Sequence, residues 1–136
     1  MFTLHARLQA DTVPVLGLEL CDVLLMQDAA FPWLILVPRR PEIREIHQLD
    51  AADRGRLIEE IARAARVLEH LYGPEKINVG ALGNVVAQLH VHVIARFTTD
   101  RAWPGPVWGS GPARPYAPAE LDVTRERLRQ GFADLP

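Results

Sequence analysis

Two histidines and a glutamine stand in a row that could do chemistry. In Gln88-Leu89-His90-Val91-His92-Val93-Ile94-Ala95-Arg96 polar and apolar residues alternate at the start, and alternation predicts a half-buried β-strand. Gln88, His90 and His92 then share one face, with about two residues' rise (roughly 6–7 Å) between neighbours. Leu89, Val91 and Val93 fall on the other face, where they can enter a core. A neutral imidazole, with a pKa of about 6.5, offers a free lone pair at neutral pH. Such a group can attack a phosphorus, form a phosphoramidate and pass the phosphoryl-bearing group to water or another acceptor. The main-chain N–H groups from Gly83 to Val86, with the Asn84 amide, are neutral donors that could meet the charge developing in that step.

Other chemistries fit the same pair. His-x-His on a strand aims two imidazoles at one point, which is how a zinc site can begin. A third and fourth ligand are then needed, and His5, His47 and His70 are scattered through the chain. A carboxylate could complete the set, so a zinc-dependent hydrolase stays open below the phosphorus reading. Two satisfied core histidines are the plainest alternative, and the adjacent Gln88 makes it the minor one. Gln88 itself offers a donor and an acceptor but cannot titrate. It can orient a neighbour; it cannot shuttle protons.

The elements that must position this row are legible in outline. The chain has 136 residues, enough for one domain, 1–136, with a real core. Its net charge is −2, with Lys76 the only lysine, which argues against a nucleic-acid groove. The single cysteine, Cys21, cannot form an internal disulfide, and a cytoplasmic protein is expected. Cys21 reads as a small core residue. No signal peptide is expected, and no apolar run reaches the ~18 residues of a membrane span. No glycine-rich P-loop is present, and no cofactor is expected.

Phe2 to Ala10 permits a short amphipathic helix through Leu4 and Leu8. Val15 to Met26 predicts one or two strands, with a turn near Asp22. Trp33 to Val37, apolar on both faces between Pro32 and Pro38, predicts a central strand. Arg39-Arg40-Pro41 reads as a solvated exit. Asp50 is a strong helix N-cap, with Asp53 three residues on. Leu57, Ile58, Ile61, Ala65, Leu68 and Tyr72 recur at helical spacing, and Gly73-Pro74 ends the helix. Lys76 to Ala81 predicts a strand and Leu82 to Val86 a turn before the histidine strand. Trp103 to Trp108 is rigid, aromatic and aperiodic. A last helix is expected over roughly 119–132. Helix enclosed by strands joined by short turns gives an α+β domain.

The histidine strand resembles the signature of the histidine triad (HIT) superfamily, His-φ-His-φ-His-φ-φ with φ apolar. Gln88 stands at the first His, His90 at the middle one and His92 at the third. Asn78-Val79-Gly80-Ala81-Leu82-Gly83-Asn84-Val85-Val86 is similar to the segment that precedes the triad in Hint-type members, with Asn84 at a Gln and Val85 at a Ser. Phe31 to Pro38 resembles the family's Pro-x-His-x-Leu-Val-x-Pro strand, with Trp33 at the His, a change that would remove a polar contact. The resemblance covers roughly residues 15 to 100 and leaves about 101–136 as an extension.

The resemblance implies a HIT-like fold, a curved antiparallel sheet with one long helix packed across it and a C-terminal helix. It implies His90 as nucleophile, with His92 and Gln88 beside it. It places Gly83, Asn84 and Val85 near the phosphate, counts Asn78 among the substrate-binding residues, and puts an acidic or amide residue, Gln27 or Asp28, on the ribose hydroxyls. The implied activity is hydrolysis or transfer of a nucleotidyl group from a purine nucleotide conjugate, a phosphoramidate or a dinucleoside polyphosphate, with no metal. The implied partner is a second copy in a homodimer, with the Trp103 to Trp108 stretch near the partner's site. A nucleotide-binding dimer with weak or no catalysis is the alternative that the changed positions suggest.

Overall fold

The computed structural model describes residues 1–136. A short helix, α1 (Ala6–Asp11), runs directly into strand β1 (Thr12–Gly17); β2 (Cys21–Met26) and β3 (Trp33–Pro38) follow. The long helix α2 (Ala51–Tyr72) leads to β4 (Lys76–Gly80) and β5 (Val91–Arg96), and α3 (Pro118–Asp134) ends the chain. The five strands form one sheet in the order β1-β2-β3-β5-β4, and every neighbouring pair is antiparallel. This is the expected α+β architecture, an antiparallel sheet with one long helix and a C-terminal helix, and α1 is the short N-terminal helix that Leu4 and Leu8 permit.

Local chemistry sets the boundaries. The Asp50 carboxylate accepts from Asp53 N at 2.8 Å and caps α2. Asp53 is itself buried, because Arg40 and Arg56 both bond its carboxylate. Arg40 therefore pins the β3 exit to α2 while its side chain stays 42% exposed, and Arg39 likewise pairs with Asp22. That pairing keeps Asp22 inside β2; the turn lies earlier, at Leu18 to Leu20. There the Glu60 carboxylate accepts from Leu20 N and Cys21 N, both at 2.8 Å. Pro14 sits on the edge strand β1 at a register shift, where a missing N–H costs no ladder bond.

Two cores lie on the two faces of the sheet. Val23, Leu25, Leu34, Leu36, Val91, Val93 and Ala95 meet Leu57, Ala64, Val67 and Leu68 of α2 and Leu128 and Phe132 of α3. The buried stripe of α2 is rotated from the expected one. Ile58 is 61% exposed, and Glu60 and Val67 face inward instead. Glu60 can do so because the β1–β2 turn supplies two N–H groups to its charge. Cys21 is fully buried beside it, and burial together with the Glu60 charge pushes its thiol well above the ordinary range, which fits its core role.

On the opposite face Leu24, Trp33, Ile35, Val37 and Ile94 pack with Leu8, Phe31, Val86 and Val107. That cover is irregular chain: the N-terminal segment and the Trp/Pro-rich stretch after β5. It explains why β5 is buried along its whole length rather than half-buried. The strand begins at Val91, so that Gln88 and His90 belong to the approach rather than to the strand.

Candidate active site

His90 and His92 come together on the irregularly covered face, with ring centroids 5.0 Å apart. Their hydrogen bonds assign them opposite roles. His90 Nδ1 lies 2.7 Å from the Gln88 carbonyl oxygen. A carbonyl can only accept, so Nδ1 carries the proton and the Nε2 lone pair of the neutral ring is free. His92 Nδ1 lies 2.9 Å from Trp33 Nε1. An indole N–H can only donate, so Nδ1 accepts and the proton of the neutral ring sits on Nε2. One ring presents a lone pair and its neighbour presents an N–H. Neither Nε2 has a partner within the chain.

Burial and the neighbouring His90 hold the His92 pKa down to about 4. The Trp33 bond acts in the same direction, since an imidazolium would turn two N–H groups against each other. His92 is therefore a neutral donor at physiological pH. The sequence suggested that Trp33 removes a polar contact; the fold shows its indole supplying one.

A pocket of about 240 Å³ opens onto both rings. Leu8, Met26, Ile35, Val86 and Trp108 form its apolar wall, and Arg7 and Asp11 stand at its edge. Trp108 packs edge-on against His92 at 5.1 Å between centroids. It reaches there because Gly80 lies beneath it: a Cβ on residue 80 would fall 2.9 Å from the Trp108 ring. Trp108 Nε1 is the one buried side-chain polar atom in the chain without a partner. Trp108 thus packs on the site of its own chain. A second hollow, of about 360 Å³, lies on the other side of His90 and is lined by Arg44, Glu45, His47, Arg54 and Gln88 among others.

The Leu82 to Val86 turn forms the rim between the hollows. Gly83 adopts φ +75°, a conformation glycine takes without strain. The N–H groups of Gly83, Asn84, Val85 and Val86 make no hydrogen bond within the chain. Asn84 and Val85 line the pocket with Gly83, and Val85 is 85% exposed. The fold thus brings these three beside His90 and His92.

Four other predicted residues are engaged elsewhere. Asn78 accepts from Arg96 Nη1 at 2.8 Å. Arg96 is fully buried, paired with both oxygens of Asp100, bonded to Gly105 O and flanked by Phe31 and Trp103. Asp28 is also buried; its carboxylate accepts from Arg101 Nη2 and from the N–H groups of Ala30 and Arg114. It ties the C-terminal stretch down and presents no free oxygen to a sugar. Gln27 is exposed, and its amide reaches only Thr12 O, at 3.5 Å. The Gln88 side chain points to the N-terminal segment, not to an imidazole; its carbonyl, not its amide, orients His90.

Sequence reasoning missed Arg7 and Asp11 as pocket residues and set the Trp103 to Trp108 stretch near a partner's site, whereas Trp108 lines the pocket of its own chain. Nothing in the local spacing of Arg7 and Asp11 marks them; only the fold carries the N-terminal segment and the stretch after β5 over this face of the sheet. No group of three His, Cys, Asp or Glu side chains converges anywhere in the chain. No helix is long and apolar enough to cross a membrane.

Comparison with known proteins agrees with the fold. The histidine triad protein of Marinobacter aquaeolei VT8 is 46% identical, with a TM-score of 0.96 over 100% of this chain and 99% of that one. The HIT protein of Sinorhizobium meliloti 1021 is 47% identical, with a TM-score of 0.94 over 96% and 97%. A histidine triad protein of Bradyrhizobium japonicum is 44% identical, with a TM-score of 0.94 over 96% and 98%. No curated protein sequence matches the chain. The HIT domain model matches residues 7–99. The chain belongs to the HIT domain family, whose members are generally nucleotide-binding hydrolases or transferases.

Proposed function

We propose that the protein hydrolyses or transfers the nucleotidyl group of a purine nucleotide conjugate through a covalent intermediate on His90. The observation that carries this reading is the opposed pair of tautomers: a free lone pair on His90 Nε2 beside an N–H on His92 Nε2. The His90 nitrogen attacks the α-phosphorus, a P–N bond forms, and the bond to the leaving group breaks. The leaving group takes its proton from solvent. His92 donates a hydrogen bond to a phosphate oxygen and stays neutral throughout. The free N–H groups of Gly83 to Val86 hold the charge on the other oxygens. Water then cleaves the P–N bond, releasing the nucleoside monophosphate and restoring His90.

The two hollows suit the two halves of such a substrate. The apolar pocket under Trp108 suits a nucleoside. The hollow beyond His90 carries Arg44 and Arg54, neither of which forms an ion pair within the chain. That favours an anionic leaving group such as a polyphosphate over an amine. A homodimer belongs to the same proposal: β4 is an open sheet edge with Val79 half exposed, and Ile58 is bare on α2.

The test is intact-mass spectrometry after brief incubation with diadenosine tetraphosphate or an adenosine phosphoramidate. Wild type should gain one adenylyl group, and His90→Ala should gain none and turn over neither substrate. Full turnover by His90→Ala would sink the proposal. Nucleotide binding with neither adduct nor product would move the assignment to a non-catalytic binding protein.

A further inference from the structure

Gln88 occupies the first triad position, yet its amide makes a different set of contacts. Oε1 accepts from His5 N and Nε2 donates to Thr3 O, each at 2.8 Å. Both partners are main chain and two residues apart. One side chain therefore grips an extended segment much as a neighbouring strand would, with one donor and one acceptor.

The gripped segment leads straight into the pocket wall. His5 caps α1 by accepting from Arg7 N at 3.0 Å. A helix of six residues cannot sustain itself, because its nucleation cost outweighs so few bonds. It is held by Leu8 in the site-face core, with Phe2 and Leu4 packed beside it, and by the Gln88 grip. Arg7, Leu8 and Asp11 then line the pocket that His90 and His92 share.

Asp11 is the acidic side chain of that pocket. Its Oδ2 accepts from Arg7 Nε at 2.7 Å, and its Oδ1 has no partner. Its carbonyl accepts from Gln27 N at 3.0 Å, which fixes it beside the end of β2. Asp28, the acid that follows β2 in the chain, is locked in the bonds to Arg101 and Arg114.

We propose that residues 2–11 are a strap forming the sugar-binding wall of the pocket, that Gln88 is its latch, and that Asp11 takes the nucleoside hydroxyls. A carboxylate oriented by Arg7 can accept from both hydroxyls of a cis-diol. The ligand assignment rests on the nucleotide reading above; the latch does not.

Two measurements separate the parts. Hydrogen exchange followed by mass spectrometry on Gln88→Ala and Gln88→His should show faster exchange across residues 3–11 and unchanged exchange across α2. Unchanged exchange across 3–11 would overturn the latch. Calorimetric titration should show Asp11→Asn binding adenosine monophosphate about tenfold more weakly, the effect of one charge-assisted hydrogen bond. Its affinity for the 2′,3′-dideoxy nucleotide should match wild type. An equal loss for both nucleotides, or none for either, would overturn the Asp11 assignment. If wild type binds neither nucleotide, that assignment falls together with the proposed function, and the exchange result alone decides the latch.

Discussion

The two faces of the sheet are covered by different means. One carries two helices and a continuous apolar core of 18 buried residues. The other carries a six-residue helix, a turn and a proline-rich stretch over 9 buried residues. The first face is held mainly by apolar area, which is tolerant of detail, with Glu60 and Asp53 pinning α2 at the sheet's margin. The second is held by directional bonds: Arg96 to Asp100, Arg101 to Asp28 and Gln88 to the strap. Directional bonds fix the placement of particular polar atoms, and the site sits on the face that relies on them.

The difference can be tested by breaking each face in turn. Loss of His90 should remove turnover while leaving the fold intact, the largest functional effect. For stability, Phe132→Ala on the helical face should cost about 3–5 kcal/mol in urea denaturation, with nucleotide affinity unchanged. Asp100→Ala on the site face should cost a similar amount, about 3–5 kcal/mol, because it strands the buried Arg96 charge. Here the loss should be accompanied by faster hydrogen exchange across 97–108 and weaker nucleotide binding. Equal behaviour of the two variants toward nucleotide would erase the distinction between the faces.

Acid should discriminate as well. Arg96, with the N–H groups of Phe97 and Ala102, holds the Asp100 carboxyl down to about 2. An Asp with a depressed folded pKa stabilises fully above its unfolded value of about 3.9. That stability is lost as pH falls from there through about 2. His92 adds an earlier decline. Its folded pKa of about 4 lies below the 6.5 of a free imidazole. Unfolding therefore takes up a proton, and stability falls as pH drops from 6.5 toward 4. Trp33→Phe should return the His92 titration, followed by NMR, toward 6.5. It should also add an acid limb to the rate profile and cost about 1–3 kcal/mol for the orphaned Nδ1. An unmoved titration would separate Trp33 from the tautomer of His92. The smallest effect belongs to Ile58→Glu. It should change monomer stability by no more than about 0.5 kcal/mol yet shift sedimentation toward monomer if α2 lines the dimer seam.

The same contrast explains what the sequence makes legible. α2 declares itself because a capping Asp50, a helical period and Gly73 are all local, and the strands around it read nearly as well. Even there, Ile58 and Glu60 exchange expected roles, since the acceptor's partners at Leu20 and Cys21 lie about forty residues away. The site face is harder. His90 and His92 are visible because their spacing is local and matches a family signature. The roles of Asp28, Asn78 and Gln88 depend on Arg101, Arg96 and Thr3, which are 73, 18 and 85 residues distant. A carboxylate committed to a distant arginine and one open to a ligand look identical in a sequence. Trp33 misleads for a related reason: an indole reads as apolar until the acceptor for its N–H is known.

All three tryptophans of the chain lie on the site face. Trp33 is hydrogen-bonded to His92, Trp108 packs against the same ring, and Trp103 lies over Arg96. Indole emission is sensitive to a nearby cation and to the polarity around its N–H. The protein therefore carries its own optical probe. Its fluorescence should follow the protonation of His92 and any occupancy of the pocket under Trp108, and the helical face contributes no tryptophan signal.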